Sequence, residues 1–236
     1  MFDLITKEEF WGWLDNGIKV SNQCSLKDIQ DAFILSLLKN EQNKKILEVG
    51  GGDSRVLKQI NTRNECWNAE KFEGVGNGPT LPVDIPNVRV ANTYLGEFSE
   101  TVPSKYFDFV FSISVIEHIS NEKLDSFFQD CARILKPGGE MIHAIDIYLL
   151  SEEFKDNKHN EYNTLRLAKL LSYGFKPDFK LNFSESPKIG NKLFFSYKYA
   201  THSDMIMYGW NSVAPSLRNL RCNAQSASLK MVLTKN

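Results

Sequence analysis

The 236-residue chain has almost no net charge, because 28 Lys and Arg stand against 29 Asp and Glu and leave −1 at pH 7. A protein that binds nucleic acid or an anionic membrane shows a basic surplus or stripe, so this balance gives no electrostatic case for either. Long apolar runs are absent as well: nothing approaches the roughly 18 residues of a membrane-spanning helix. The N-terminus, Met1-Phe-Asp-Leu-Ile-Thr-Lys-Glu-Glu9, lacks the basic and apolar regions of a signal peptide. The four cysteines, Cys24, Cys66, Cys131 and Cys222, are scattered and form no CxxC pair. That pattern fits reduced, mostly buried thiols in a cytoplasmic protein.

What is present is an ordinary globular composition, 42% hydrophobic and 24% charged. The length suits one α/β domain over residues 1–236, or one such domain carrying an insertion. The stretch Lys45–Ile60 organises it. Ile46, Leu47 and Val49 read as a buried strand that ends in Gly50-Gly51-Gly52. Asp53-Ser54 then offers a helix cap, and Val56, Leu57 and Ile60 recur at helical spacing. Glycine there lets a ligand approach the backbone and tolerates a tight turn. Glu48 is an acceptor facing the same space.

The string Glu48-Val-Gly-Gly-Gly-Asp53 resembles the first motif of class I S-adenosylmethionine (SAM)-dependent methyltransferases, E/D-x-G-x-G. A dinucleotide fingerprint would place a third glycine three residues beyond Gly52, where this chain has Arg55. Phe107–His118 resembles the fourth motif of the same family, F-D-x-V-x-S-x-x-V-x-E-H, and Arg133-Ile-Leu-Lys-Pro-Gly-Gly139 resembles its helix-to-strand turn. Three matches in order and at the right spacing cover roughly residues 44–183 and 228–235. The resemblance implies a three-layer α/β sandwich around a seven-stranded, mostly parallel sheet, with SAM as cofactor.

Candidate residues lie at the C-terminal ends of the expected strands, where open α/β sheets bind ligands. Glu70 lies eighteen residues past Gly52, where a carboxylate can accept from the two ribose hydroxyls; Lys71 comes next. After the strand Val88–Ala91, Asn92 and Thr93 stand where the family carries a polar pair near the adenine. Ser112, Ser114, Glu117 and His118 gather at the end of an almost continuous apolar strand. The expected cofactor residues are therefore Glu48, Gly50, Gly51, Gly52, Glu70, Lys71, Asn92, Thr93 and Ser112. His118 reads either as a general base on the acceptor or as a residue that shapes the pocket. Asp146 and Tyr148, just after the fifth strand, are expected to face the substrate. Relatives with E-x-x-E-H bind a divalent metal, but the first position here is Ser114, so no metal is expected.

Two capping signatures, Thr6 with Glu9 and Ser25 with Asp28, place two helices before the first strand, in a helical cover over residues 1–43. Residues 74–87 hold three Gly and three Pro and read as an ordered loop. A helix ending near Tyr173 and a strand Phe179–Phe183 come after the fifth strand. The segment 184–227, rich in Phe, Tyr, Met and Trp, reads as an insertion before the last strand and as a candidate substrate cap, lid or oligomer contact. The expected activity is methyl transfer to a small or medium polar molecule. Oxygen of a sugar, sugar nucleotide or metabolite is slightly preferred over nitrogen. The rivals are a nicotinamide oxidoreductase and a non-catalytic partner subunit of the same fold. A monomer or homodimer is expected.

Overall fold

The computed structural model describes residues 1–21, 25–74, 78–150, 157–181, 198–201 and 224–236. Its centre is a mixed eight-stranded sheet. In chain order the elements are β1 (Phe2–Leu4), α1 (Lys7–Asp15), α2 (Leu26–Leu38), β2 (Lys45–Val49), α3 (Leu57–Ile60), β3 (Glu65–Ala69), β4 (Val88–Ala91) and β5 (Phe107–Ile113). They continue with α4 (Leu124–Ile134), β6 (Leu135–Leu150), α5 (Asn157–Tyr173), β7 (Phe179–Lys180) and β8 (Ala224–Lys235). The strands lie in the order β1-β8-β6-β5-β2-β3-β4, with β7 also on β8. β4, β3, β2, β5 and β6 are parallel, and β8 enters antiparallel. The strand order reverses at β2, with β3 and β4 to one side and β5 and β6 to the other. Such a switch point opens a crevice at the C-terminal strand ends.

Period-two alternation sorts the strand side chains between two helical layers. Leu47 of β2, Val110 of β5 and Met141 and Ile145 of β6 face Phe127, Phe128 and Cys131 of α4 and Leu170 and Tyr173 of α5. Ile46, Phe111, Ile142 and Ala144 face the other layer, formed by Phe10 of α1, Ile29, Phe33 and Leu35 of α2 and Leu57 and Ile60 of α3. The result is the expected three-layer sandwich.

Several expectations change in detail. A strand, β1, precedes the two helices and pairs with Leu229–Met231 of β8. Three residues carry no periodic signal, so only tertiary pairing reveals it. The helix after the glycine turn is a single turn, α3, whose N-cap is Val56; Ser54 Oγ, just ahead of it, accepts from Leu57 N–H at 2.9 Å. Lys136–Gly139 is not a break between elements. Leu135 still pairs with Phe107, and the next pair is Phe109 with Glu140, so the four residues bulge out of a continuous strand. β7 is two residues long rather than five, and β8 starts at Ala224, inside the span read as insertion. Within that span only 198–201 and 224–227 are described. Tyr199 bridges Thr6 and Thr201 bridges Ala227, so this piece runs beside the start of α1 and β8. The aromatic residues expected to form a cap, from Phe194 to Trp210 apart from Tyr199, lie outside the described residues, as do Cys24 and Cys222.

The loop after β4 is fixed from below by Asp130 of α4. Its carboxylate accepts from Gly96 N–H at 2.7 Å, Phe98 N–H at 3.0 Å and Arg133 Nε at 2.8 Å, and the residue is 1% exposed. Asp130→Ala strands two amides and a guanidinium. It should cost about 3 kcal/mol, read as a lower urea midpoint at unchanged slope.

Candidate functional site

The site starts from the glycine turn. Gly50 and Gly52 have φ of 67° and 50°, a region that a side chain strains. A Cβ on Gly51 would stand 2.6 Å from Glu48 Cδ, and one on Gly50 would stand 2.7 Å from Val115 Cγ2. Glycine is therefore required twice over, by backbone conformation and by the groups packed against it. Asn68 of β3 clamps the turn: its Oδ1 accepts from Gly51 N–H and its Nδ2 donates to Gly52 O, both at 3.1 Å. Nothing in the sequence marks Asn68 for this role. Its side chain points to the glycines because β3 runs parallel to β2 with Asn68 opposite Glu48.

Glu48 does not face open space. It is buried under the turn, and one carboxyl oxygen, Oε2, has no hydrogen-bond partner among the described residues. Burial pushes its carboxyl up to about 8, and the nearby Asp31 charge adds to that, while a Ser54 hydrogen bond and Arg55 pull it down. Arg55, which stands at the position of the missing third glycine, spans to α2. Its Nε and Nη2 donate to Asp31 at 2.5 and 2.9 Å.

Helix α2 also reaches the neighbouring strand ends. Gln30 Nε2 donates to Asp146 Oδ1 at 2.6 Å and to Ser228 Oγ at 3.3 Å. Ser114 Oγ donates to the same Asp146 oxygen at 2.6 Å and contacts Gln30 Oε1 at 2.9 Å. Ser114 is held at φ 51°, in the left-handed region where a non-glycine residue is uncommon. Glu117 comes next, in a short 3-10 turn, Ile116–His118. Its carboxyl is raised, first by burial and then by the charge of Asp146. Glu117 and Asp146 thus form an acidic pair just past the end of β5. Asp146 and Tyr148 lie within β6, which runs on to Leu150, rather than after it.

The remaining expected residues divide. Glu70, 8% exposed, closes β3 with Oε1 accepting from Phe72 N–H at 3.2 Å, in a bend where Phe72 has φ 58°. Lys71 pairs with Glu97 at 2.7 Å and lies over the Tyr94 ring. Thr93 is buried, with its hydroxyl donating to Glu97 and to Tyr94 O, whereas Asn92 is exposed beside it. Ser112 departs from the expectation. Its hydroxyl is fully buried and lies 2.7 Å from His143 Nδ1 on the α4 side of the sheet, so it is not presented to the crevice. His118 is exposed, with Nε2 4.0 Å from Glu117 Oε1. Among the described residues, no three His, Cys, Asp or Glu side chains converge in a way that could hold a metal ion.

A turn with left-handed glycines over a buried acid, and a carboxylate at the next strand end, form a cradle that suits a nucleoside with a cationic tail. Comparison with known proteins agrees. The family model described as a methyltransferase domain matches residues 23–171, more than half of the chain. The chain belongs to the class I SAM-dependent methyltransferases. Phosphoethanolamine N-methyltransferase of Plasmodium falciparum is 28% identical over 148 residues, covering 59% of this chain and 52% of that protein. Haemonchus contortus phosphoethanolamine N-methyltransferase 2, solved with phosphomonomethylethanolamine and S-adenosylhomocysteine, aligns with a TM-score of 0.55 at 16% identity, over 87% of this chain and 52% of that one. The YcgJ protein of Bacillus subtilis aligns with a TM-score of 0.53 at 13% identity, over 87% of this chain and 97% of that one. The chain thus spans about half the length of the phosphoethanolamine enzymes it matches. Among the described residues, no helix of this methyltransferase is long and apolar enough to cross a membrane.

The raised Glu48 carboxyl makes a signed prediction. The folded, cofactor-free protein keeps this proton up to about pH 8, whereas the unfolded chain releases it from the ordinary value of 4.5. The stability tied to the protonated carboxyl is fully present below 4.5 and is lost as pH rises through about 8. The slope reaches about 1.4 kcal/mol per pH unit inside that window. Glu48→Gln, neutral throughout, should flatten this dependence in urea melts run from pH 5 to pH 8. An unchanged slope would mean that Glu48 is ionised in the folded state.

Proposed function

We propose that this enzyme transfers a methyl group from SAM to the nitrogen of a small polar amine. The amine would be held just past the end of β5, beside Asp146 of β6 and under the first turns of α2. The observation that carries the reading is the Glu117–Asp146 pair, two half-buried carboxyls beside the Ser114 turn, of which Glu117 is raised first by desolvation and then by the charge of Asp146. Such a pair attracts a proton or a cation, and an ammonium group offers both. The likeness to phosphoethanolamine N-methyltransferases supports the same class of acceptor.

SAM would lie along the glycine turn, with Glu70 accepting from its ribose, Asn92 and Thr93 beside its base and Lys71 at the rim. Glu48, buried beneath the turn with Oε2 unpartnered among the described residues, would act on its cationic end as a charge under the glycines. When bound it supplies a methyl group on a sulfonium, an electrophile strong enough that placement does most of the catalysis. The residues of this chain then have two tasks. The first is to hold the acceptor nitrogen in line, through Asp146 and the Ser114 and Gln30 groups that fix it. The second is to take the ammonium proton, since nitrogen attacks through its lone pair. Glu117 suits that task, because its raised carboxyl can receive a proton near neutrality. The proton given up by the ammonium would remain on the carboxyl pair as the methyl group is delivered to the nitrogen. His118, exposed beside Glu117, can pass it to water.

A hydroxyl acceptor, such as a sugar or sugar nucleotide, is the second reading. The neutral Ser114–Gln30 array beside Asp146 favours it, because those groups would pair a hydroxyl as readily as an amine. The discriminating experiment measures S-adenosylhomocysteine release with phosphoethanolamine, ethanolamine and UDP-sugars in parallel. Turnover of an amine is expected, and Glu117→Gln should lower kcat/KM for it on the order of a hundredfold while SAM affinity stays within about twofold. Turnover of UDP-sugars alone would replace the amine reading with the hydroxyl one.

A further inference from the structure

The 3-10 turn Ile116–His118 carries two of the proposed functional side chains, yet its own backbone has little to hold it. Two local hydrogen bonds close it, His118 N–H to Val115 O at 3.0 Å and Ile119 N–H to Ile116 O at 3.1 Å. Such short 3-10 pieces have poor internal bonding and take their geometry from their packing partners. The partner here is a buried side chain from far along the sequence. Arg166 of α5, 6% exposed, donates from Nη2 to Ile116 O and to Ile119 O, the latter at 2.6 Å, and from Nη1 to Asn121 Oδ1 at 2.6 Å. The two carbonyls flank Glu117 and His118. Lys169, one turn on, donates to Asn121 O at 2.5 Å and closes the far end of the same segment.

We propose that Arg166 is a positioning residue for methyl transfer: its guanidinium clamps the carbonyls on either side of Glu117 and His118 and sets where both side chains stand. Its hydrogen bonds among the described residues go to this segment and not to the glycine turn, so it acts through the segment. Arginine is suited to this because its donors form a rigid planar fork that can meet two carbonyls and an amide oxygen at once. Lysine offers a point charge on a flexible stem and cannot hold that geometry. The clamp is stiff because α5 is fixed independently of it. Tyr173 stacks on Phe128 of α4 with ring centroids 3.9 Å apart, and Tyr173 and Lys176 donate to Asp125 at 2.8 and 2.7 Å. Removing the guanidinium should therefore loosen the turn and leave the helix in place.

The role in catalysis rests on the proposed role of Glu117, whereas the clamp itself does not, and the test separates the two. Hydrogen–deuterium exchange of the SAM-bound enzyme is compared for the wild type, Arg166→Lys and Arg166→Met, together with melting temperature and SAM affinity by calorimetry. Faster exchange is expected in peptides spanning 116–121, with peptides over the glycine turn unchanged and SAM affinity within about twofold. Steady-state kinetics with phosphoethanolamine supply the functional arm. A ten- to hundredfold lower kcat/KM is expected in both variants, because a displacement near 1 Å is worth about that much, and methylguanidinium added to Arg166→Met should recover part of it. Unchanged exchange over 116–121 in both variants would overturn the clamp. Faster exchange with wild-type kinetics would overturn its role in catalysis. If the wild type turns over no amine, the proposed amine chemistry fails, and the clamp is still decided by exchange and by the kinetics of whichever UDP-sugar is methylated. Loss of SAM affinity in step with a lowered melting temperature would reduce Arg166 to a general packing residue.

Discussion

The position of helix α2 is the constraint on which the site depends. Two polar contacts set it. Asp31 meets Arg55 in a two-bond pairing beyond the glycine turn, and Gln30 meets Asp146 in β6 just past the end of β5. Both α2 residues are almost fully buried, Gln30 at 0% and Asp31 at 1% exposure. A buried charge with its partner removed costs about 3–5 kcal/mol, so α2 has little freedom to slide along the sheet. The apolar residues Ile29, Phe33 and Leu35 would tolerate several registers against β5 and β6, but the polar contacts select one. In that register the helix closes the crevice on one side and places an amide within reach of the acidic pair.

The backbone does as much as the side chains. Three parallel strands, β2, β3 and β5, leave the sheet through residues at positive φ: Gly50, Phe72 and Ser114. Each turns the chain sharply after its strand, so the next segment stays at the edge instead of continuing over the helices. Glycine was legible at the first of these because it is the default residue for such a conformation. Phe72 and Ser114 were not, since neither residue type announces a left-handed turn. Strain of this kind persists only where surrounding contacts over-determine it, and both lie beside proposed ligand groups.

The legible part of the sequence was the part with strong periodicity or fixed spacing. β2, β4 and β5 fell where the strand patterns predicted them, and the three-layer arrangement came from the order of motifs. Ser112 shows where the reading stops. It sits at the strand end, but side chains alternate between faces, and the hydroxyl goes to His143 under α4 while Ile113 goes to the α2 side. A motif gives a residue's place along a strand and not its face unless the register is counted from a known core residue. Asn68, Gln30 and Arg166 were missed for another reason. Each acts on a partner far away in sequence, 17, 116 and 47 residues off for Gly51, Asp146 and Ile119 respectively. No local pattern encodes such a contact.

Net charge illustrates the same separation of scales. A value of −1 describes the far field and argues against polyanionic partners. It says nothing about the crevice, where Glu48, Asp31, Glu117 and Asp146 gather near α2 and the Arg55 guanidinium is committed to Asp31. Burial makes that imbalance costly, which is why three of these carboxyls, Glu48, Asp31 and Glu117, are raised above their ordinary values. The cost is relieved by whatever positive charge enters. A cationic cofactor beside Glu48 and an ammonium acceptor beside Glu117 would each lower the charging cost of their own carboxyl. Once the methyl has moved, the sulfur is neutral and that part of the relief is withdrawn. On the proposed reading, binding of substrates and release of the demethylated cofactor would be driven in opposite directions by one electrostatic feature, the excess of carboxylates along the C-terminal edge of the sheet.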